Sequence, residues 1–204
     1  MCIRDRTGTG QSMYEQDRYR RVNVDGTRRA AQFAVEHDIP IVSLSSRAVY
    51  GEGRTLWPDR GIVFGERRGP GAVAEASRES EEHHPVSVYG ETKSEAEAVL
   101  SKTTANRVPS AIIRPQNVIG YGQALHNPYT GVLAAFLARL REGRAISIYG
   151  DGLQTRDFVH VSDVARVIAW ALQHCADTGE GIVVNTGSGC LLYTSDAADD
   201  IALV

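Results

Sequence analysis

The sequence is short of lysine and cysteine, and it has no excess of positive charge. Lys93 and Lys102 are the only lysines among 204 residues, and a formal net charge of -3 leaves no basic field for nucleic acid. The three cysteines, Cys2, Cys175 and Cys190, are odd in number, widely separated and without a Cys-x-x-Cys pair. This points away from a disulfide framework and from a structural zinc site, so no metal and a reducing, cytoplasmic setting are expected. The most apolar stretch, Val132 to Leu140, is interrupted by Arg139 and followed by Arg141, far short of the ~20 residues a membrane helix needs. No signal-peptide pattern opens the sequence. Also missing are a phosphate-loop Gly-x-x-x-x-Gly-Lys, a Gly-x-Ser-x-Gly elbow and a Gly-x-Gly-x-x-Gly fingerprint. Gly-x-Gly does occur at Gly8, Gly51, Gly69, Gly120, Gly150, Gly179 and Gly187, but none has glycine three residues on, and they read as turns.

What remains suits a folded enzyme-sized unit, since 42% hydrophobic content can bury a core for one domain, or one domain plus part of another. Residues 17 to 36 read as an amphipathic helix, and Ile39 to Ser45 as a short strand apolar on both faces. Such a strand belongs in a parallel sheet covered on both sides. Residues 51 to 85, rich in Gly, Pro, Arg and Glu, read as a long loop. A helix over 86–106, a buried strand over Ser110 to Arg114 and a loop over 115–130 follow. Beyond them are a helix over 132–141, a strand over 145–149, a helix over 161–174 and a strand over 182–185. Strands alternating with helices predict an α/β fold, a doubly wound parallel sheet.

The densest chemical signal is Tyr89-Gly90-Glu91-Thr92-Lys93, because four residues is about one helical turn and stacks Tyr89 and Lys93 on one face. A free phenol titrates near ~10, and an ammonium close by favours its phenolate, which makes a proton-transfer group. Chance is a poor explanation: 8 Tyr and two Lys in 204 residues predict only ~0.08 such pairs. Ser46 stands at the carboxyl end of a predicted central strand, where open α/β sheets place ligands, and its hydroxyl could share that proton. The plainer alternative is that Ser45 and Ser46 cap a turn.

Five segments together carry a family resemblance: Asn23-Val24-Asp25-Gly26-Thr27, Ser45-Ser46 to Tyr50-Gly51, Tyr89 to Lys93, Arg114-Pro115-Gln116-Asn117-Val118-Ile119-Gly120, and Tyr149-Gly150-Asp151-Gly152 through Arg156 to Val161. In this order they resemble the extended short-chain dehydrogenase/reductases, and within them the nucleotide-sugar epimerases and dehydratases. The resemblance implies a Rossmann-like fold, NAD as cofactor, a nucleotide-diphosphate sugar as substrate and a homodimer. It implies Tyr89 as acid/base, Lys93 as holder of the nicotinamide ribose and Ser46 as the hydroxyl partner. Asn23 and Gln116 would stand beside the cofactor, and Asn117, Tyr149 and Arg156 would bind the substrate, Arg156 through a planar fork of donors. Asp157 and Asp163 are expected to organise the fold.

The acidic residues that follow the serine in the family's dehydratases are replaced here by Arg47-Ala48, which favours epimerisation or plain redox chemistry. The run Ser45 to Gly53, with Gln116-Asn117-Val118 and Gln123 to Gly131, is similar to the dTDP-L-rhamnose 4-epimerase branch. The implied reaction is transient hydride transfer to NAD through a 4-keto sugar. Three rivals remain: a non-catalytic nucleotide-sugar or dinucleotide sensor, a metal hydrolase built on Glu81, Glu82, His83 and His84, and another sugar-nucleotide reductase or dehydratase of the same extended family. The retained Ser46, Tyr89 and Lys93 oppose the first. The second lacks His-Glu-x-x-His spacing, and its run reads as a solvated face.

The sequence departs from the family where the glycine fingerprint should be. Residues 7–118 are therefore expected to be the C-terminal half of the NAD-binding domain, lacking its N-terminal strands, with 119–189 a partial substrate-binding region interleaved with it. Residues 1–6 and 190–204 resemble translated adapter sequence and are expected to be non-native, so that the fragment by itself would be inactive. Genomic sequence running across Arg6/Thr7 and Gly189/Cys190 without a junction would refute that expectation.

Overall fold

The computed structural model describes residues 7–64, 71–123, 131–148, 152 and 154–193. Two short turns, α1 (Thr9–Ser12) and α2 (Gln16–Tyr19), pass through a π-helical turn (Arg20–Asp25) into α3 (Gly26–Glu36). Strand β1 (Ile41–Leu44) ends in a 3-10 turn (Arg47–Tyr50), and the short strands β2 (Arg54–Trp57), β3 (Gly61–Phe64) and β4 (Val73–Glu75) follow. Then come α4 (Val88–Thr104), β5 (Ser110–Pro115), β6 (Asn117–Ile119) and α5 (Val132–Arg141). The described chain closes with β7 (Thr155–His160), α6 (Val161–Thr178), β8 (Ile182–Thr186) and β9 (Leu191–Tyr193).

The organising unit is a parallel sheet in the order β1-β5-β8. Its register pairs Ile41 with Ser110 and Ala111 with Ile182, and the two-residue side-chain period then sorts the apolar residues onto opposite faces. On one face Val42, Ala111, Ile113, Ile182 and Val184 pack against Ala171 and Cys175 of α6. On the other, Ile41, Ile112 and Val183 meet Ala31 of α3 and Leu100 of α4. Helices therefore cover both faces, which is the doubly wound arrangement expected from strands with no polar side. The strands β6 and β7 pair in parallel, and β9 joins β7 antiparallel.

Helix α4 begins where Ser87 supplies a cap, its Oγ accepting from Gly90 N at 3.1 Å. A second hydroxyl, Ser12 Oγ on α1, accepts from Tyr89 N at 3.0 Å. Gly90 lets this end approach the 3-10 turn, because a Cβ there would lie 2.6 Å from the Ala48 carbonyl oxygen.

Several sequence expectations need correction. Residues 51–85 are not one loop: β2 pairs antiparallel with β3 and β4, with Arg54 opposite Phe64 and Glu75. Strands of four residues separated by Pro58-Asp59-Arg60 are a hairpin signal that the Gly and Pro content masked. The loop assigned to 115–130 contains β6, and β7 occupies residues read only as a binding motif. The described part of the expected 145–149 strand, Ala145 to Ile148, is not a strand. Arg139 Nη1 on α5 instead donates to Ala145 O at 3.0 Å and to Ser147 Oγ at 3.1 Å, tying that segment to the helix end. Within the expected 17–36 helix, the π-helical turn brings Asn23 inward, and Thr27 Oγ donates back to Asn23 O at 2.6 Å.

Leu100 has no exposed surface and lies where α3, α4 and the sheet meet. Leu100→Ala is expected to lower stability by about 2–5 kcal/mol, measured by denaturant unfolding.

Candidate active site

Parallel strands end on the same side, and of the candidate residues Ser46 follows the carboxyl end of β1 while Lys93 reaches it from α4. Lys93 is 3% exposed, and its Nζ donates to Leu44 O, the last carbonyl of β1, at 2.7 Å. One turn earlier Tyr89 is half-buried, with its ring centroid 6.0 Å from Lys93 Nζ and 6.4 Å from the edge-on ring of buried Tyr19. Asn23 Nδ2 donates to Thr92 Oγ1 at 3.1 Å, and Thr92 Oγ1 donates to Tyr89 O at 2.9 Å. Helix α4 is thus held by hydrogen bonds to β1, α1 and the π turn.

Ser46 caps the 3-10 turn, its Oγ accepting from Ala48 N at 3.2 Å, as the plainer sequence reading expected. Accepting leaves the hydroxyl proton uncommitted by that bond, so capping and proton sharing are compatible. Gln116, Asn117 and Arg156 line a cavity of about 470 Å³, within the range that small-molecule ligands fill. Asn117 Nδ2 bridges β6 to β7 by donating to Asp157 O at 3.0 Å, and Arg156 Nη1 donates to Thr155 O at 2.8 Å. Asp157 organises the following turn, with Oδ1 accepting from Ser188 N at 2.8 Å and Oδ2 from Gly189 N at 3.1 Å. Tyr149 lies outside the described residues.

The structure adds a buried group that the motifs did not single out. Arg114, at the end of β5, is 4% exposed, and Glu97, four residues past Lys93 on α4, is 7% exposed. Arg114 Nε and Nη2 grip Glu97 at 3.0 and 2.7 Å, and Ser45 Oγ donates to the same carboxylate. Nη1 donates to Tyr50 Oη at 2.6 Å and to Glu79 O at 3.0 Å, while Nη2 donates to His83 Nε2 at 2.8 Å. A charge closing an otherwise apolar strand was the available clue, since a buried cation requires a partner.

The acidic and histidine-rich run is also not a solvated face. Glu81 and His83 point inward while Glu82 and His84 are exposed. Glu81 pairs with Arg54 at 3.0 Å, and His83 Nδ1 meets Ser94 Oγ at 2.8 Å. Gly51, with φ of 61°, allows this run to pass, because a Cβ would stand 2.0 Å from His84 O. Burial raises the Tyr50 phenol above its ordinary value, against the lowering bond from Arg114. Burial opposes the Arg114 charge, but its bonds to Glu97 and Tyr50 outweigh that and hold it above the ordinary arginine value. Burial, with the charges of Arg114 and His84, holds His83 below the ordinary histidine value against the pull of Glu97.

A doubly wound parallel sheet with a Tyr-x-x-x-Lys helix pinned to the carboxyl end of its first described strand defines a Rossmann-like α/β protein. The family follows from comparison. The chain belongs to the NAD dependent epimerase/dehydratase family, whose model matches residues 3–187. It is 43% identical over 182 residues to a dTDP-L-rhamnose 4-epimerase of Burkholderia thailandensis, covering 81% of this chain and 50% of that protein. Among solved structures, it is similar to a UDP-N-acetylglucosamine 4-epimerase from Methanobrevibacter ruminantium in complex with UDP-N-acetylmuramic acid. That match has a TM-score of 0.79 at 26% identity, covering 97% of this chain and 57% of the other. A UDP-glucose 4-epimerase from Thermus thermophilus in complex with NAD matches at a TM-score of 0.76 and 25% identity, covering 98% and 59%. The chain spans about half the length of the curated relatives it matches.

His83 gives the site a pH dependence with a definite sign. Its folded value lies below its unfolded value of ~6.5, so between the two the unfolded chain binds more protons and stability rises with pH. The contribution is complete above pH ~6.5 and is lost as pH falls through the lower, folded value. Melting temperature is expected to drop on acidification below pH ~6.5, and by less in His83→Gln, as read by calorimetry across pH 5–8.

Proposed function

We propose that this chain carries the acid/base and substrate-binding residues of an NAD-dependent nucleotide-sugar 4-epimerase, with a dTDP-sugar as substrate. The observation that carries the reading is the bond from Lys93 Nζ to Leu44 O, which pins the Tyr89 turn to the sheet edge where Ser46 stands. The 43% identity to a dTDP-L-rhamnose 4-epimerase supports the sugar class. Arg47, rather than a carboxylate, follows Ser46 and lines the cavity, which favours epimerisation over elimination.

The residues present fit the nicotinamide ribose end of NAD. A buried ammonium and a half-buried phenol share one helix face, while Ser46 and Gln116 follow the carboxyl ends of the paired strands β1 and β5. Asn23, Ser46, Tyr89, Lys93 and Gln116 would hold it, and when bound it supplies a reversible two-electron oxidation of the sugar carbon. Tyr89 takes the proton of the sugar 4-hydroxyl as that carbon is oxidised to the ketone, and returns it when the ketone is reduced. Ser46 donates to the same sugar oxygen, and Lys93 stabilises the phenolate by its charge. Asn117 and Arg156 hold the diphosphate, leaving the sugar to turn between the two half-reactions.

In the full-length gene product, assayed with NAD and a panel of nucleotide sugars with epimer formation followed by NMR, Tyr89→Phe is expected to lower turnover ~10²- to 10⁴-fold. Retention of more than about a hundredth of wild-type turnover would remove Tyr89 from the acid/base role.

A further inference from the structure

We infer that Arg114 is a positioning residue that orders the substrate cavity, by imposing a direction on the hydrogen bonds of Tyr50 and Asn185. The inference rests on the nucleotide-sugar reading of that cavity. A guanidinium has five N–H donors and no acceptor, and in Arg114 each has a place. Nε and one N–H of Nη2 go to Glu97, the other N–H of Nη2 goes to His83 Nε2, and the two of Nη1 go to Tyr50 Oη and Glu79 O. Every group facing this fork must accept.

The constraint then propagates outward. Tyr50 Oη accepts from Arg114, so its own proton goes to Asn185 Oδ1 at 2.8 Å. With its oxygen committed, the Asn185 amide presents Nδ2 to Ser77 O at 3.1 Å, and its backbone N–H is taken by Glu79 Oε1 at 2.9 Å. Tyr50, Ser77 and Asn185 all line the cavity, so its wall inherits an order set by a cation that does not itself line it. The same logic runs the other way: His83 Nε2 accepts, so its ring carries the proton on Nδ1 and offers it to Ser94 Oγ, the residue after Lys93 on α4. Glu97, on the same helix, also accepts from Ser45 beside Ser46. One guanidinium therefore sets the cavity wall in register with the acid/base helix and with the end of β1. Lysine could not replace it, since an ammonium has three donors and no fork.

The test is Tyr50→Phe in the full-length gene product, which removes the relay hydroxyl and keeps the Glu97–Arg114 pair. Its melting, its affinity for dTDP-glucose by calorimetry and its crystal structure are compared with wild type. The expected result is a folded protein with dTDP-glucose affinity down about tenfold and the Asn185 amide turned away from Ser77 O. Wild-type affinity together with an unmoved Asn185 would overturn the inference. If wild type binds neither dTDP-glucose nor UDP-glucose, the nucleotide-sugar reading fails, and the Asn185 orientation alone decides the positioning role. Should Tyr50→Phe not fold, the imidazole nitrogen spectrum of the wild type decides it. A His83 proton on Nδ1 supports the directed hub, and a proton on Nε2 overturns it.

Discussion

The cavity and the helix beside it depend on keeping Glu97 and Arg114 charged where their side chains retain only 8% and 5% of their exposure. Taking such ions out of water costs several kcal/mol each unless their hydrogen-bonding capacity is met in place. Here it is met by groups from α4, β5, the 3-10 turn and residues 79–83, none of which can shift without leaving a buried donor or acceptor unmet. A well-packed apolar pair could fill the same volume without that cost. It would not put donors and acceptors in order.

The sheet brings these groups to one place. Apolar residues on both faces of β1, β5 and β8 oblige helices to cover both sides, and parallel strands deliver their carboxyl ends together. Helix α4 then lies close enough for Lys93 to reach the last carbonyl of β1, with Gly90 permitting the approach at its start. The π turn adds Asn23 to the same helix through Thr92. Residues distant in the chain become neighbours because sheet and helix share a core, and the Tyr89 turn is supported from several sides.

Much of this was legible in the residues. Strands 41–44, 110–115 and 182–186 announced themselves by continuous apolar character, and helix 88–104 lies within the 86–106 stretch read as a helix. The Tyr-x-x-x-Lys spacing needed only helical geometry to be read. The hairpin strands β2 to β4 were not legible, because strands this short are defined by pairing and lie in turn-rich sequence. Residues 81–84 misled for a related reason: a run of acids and histidines reads as solvated, yet Glu81 and His83 are partly buried and alternate with the exposed Glu82 and His84.

The sequence by itself determined the local order of helices and parallel strands, the family motifs and the pairing of Tyr89 with Lys93 on one helical face. These follow from periodicity and short spacing, which are properties of neighbours along the chain. Only the tertiary structure decided that Lys93 would meet Leu44, that Ser46 would cap a turn beside it, and that Arg114 would join Glu97, Tyr50 and His83. A buried charge requires partners, but it does not say which, and the choice belongs to the packing that brings distant segments within hydrogen-bonding reach.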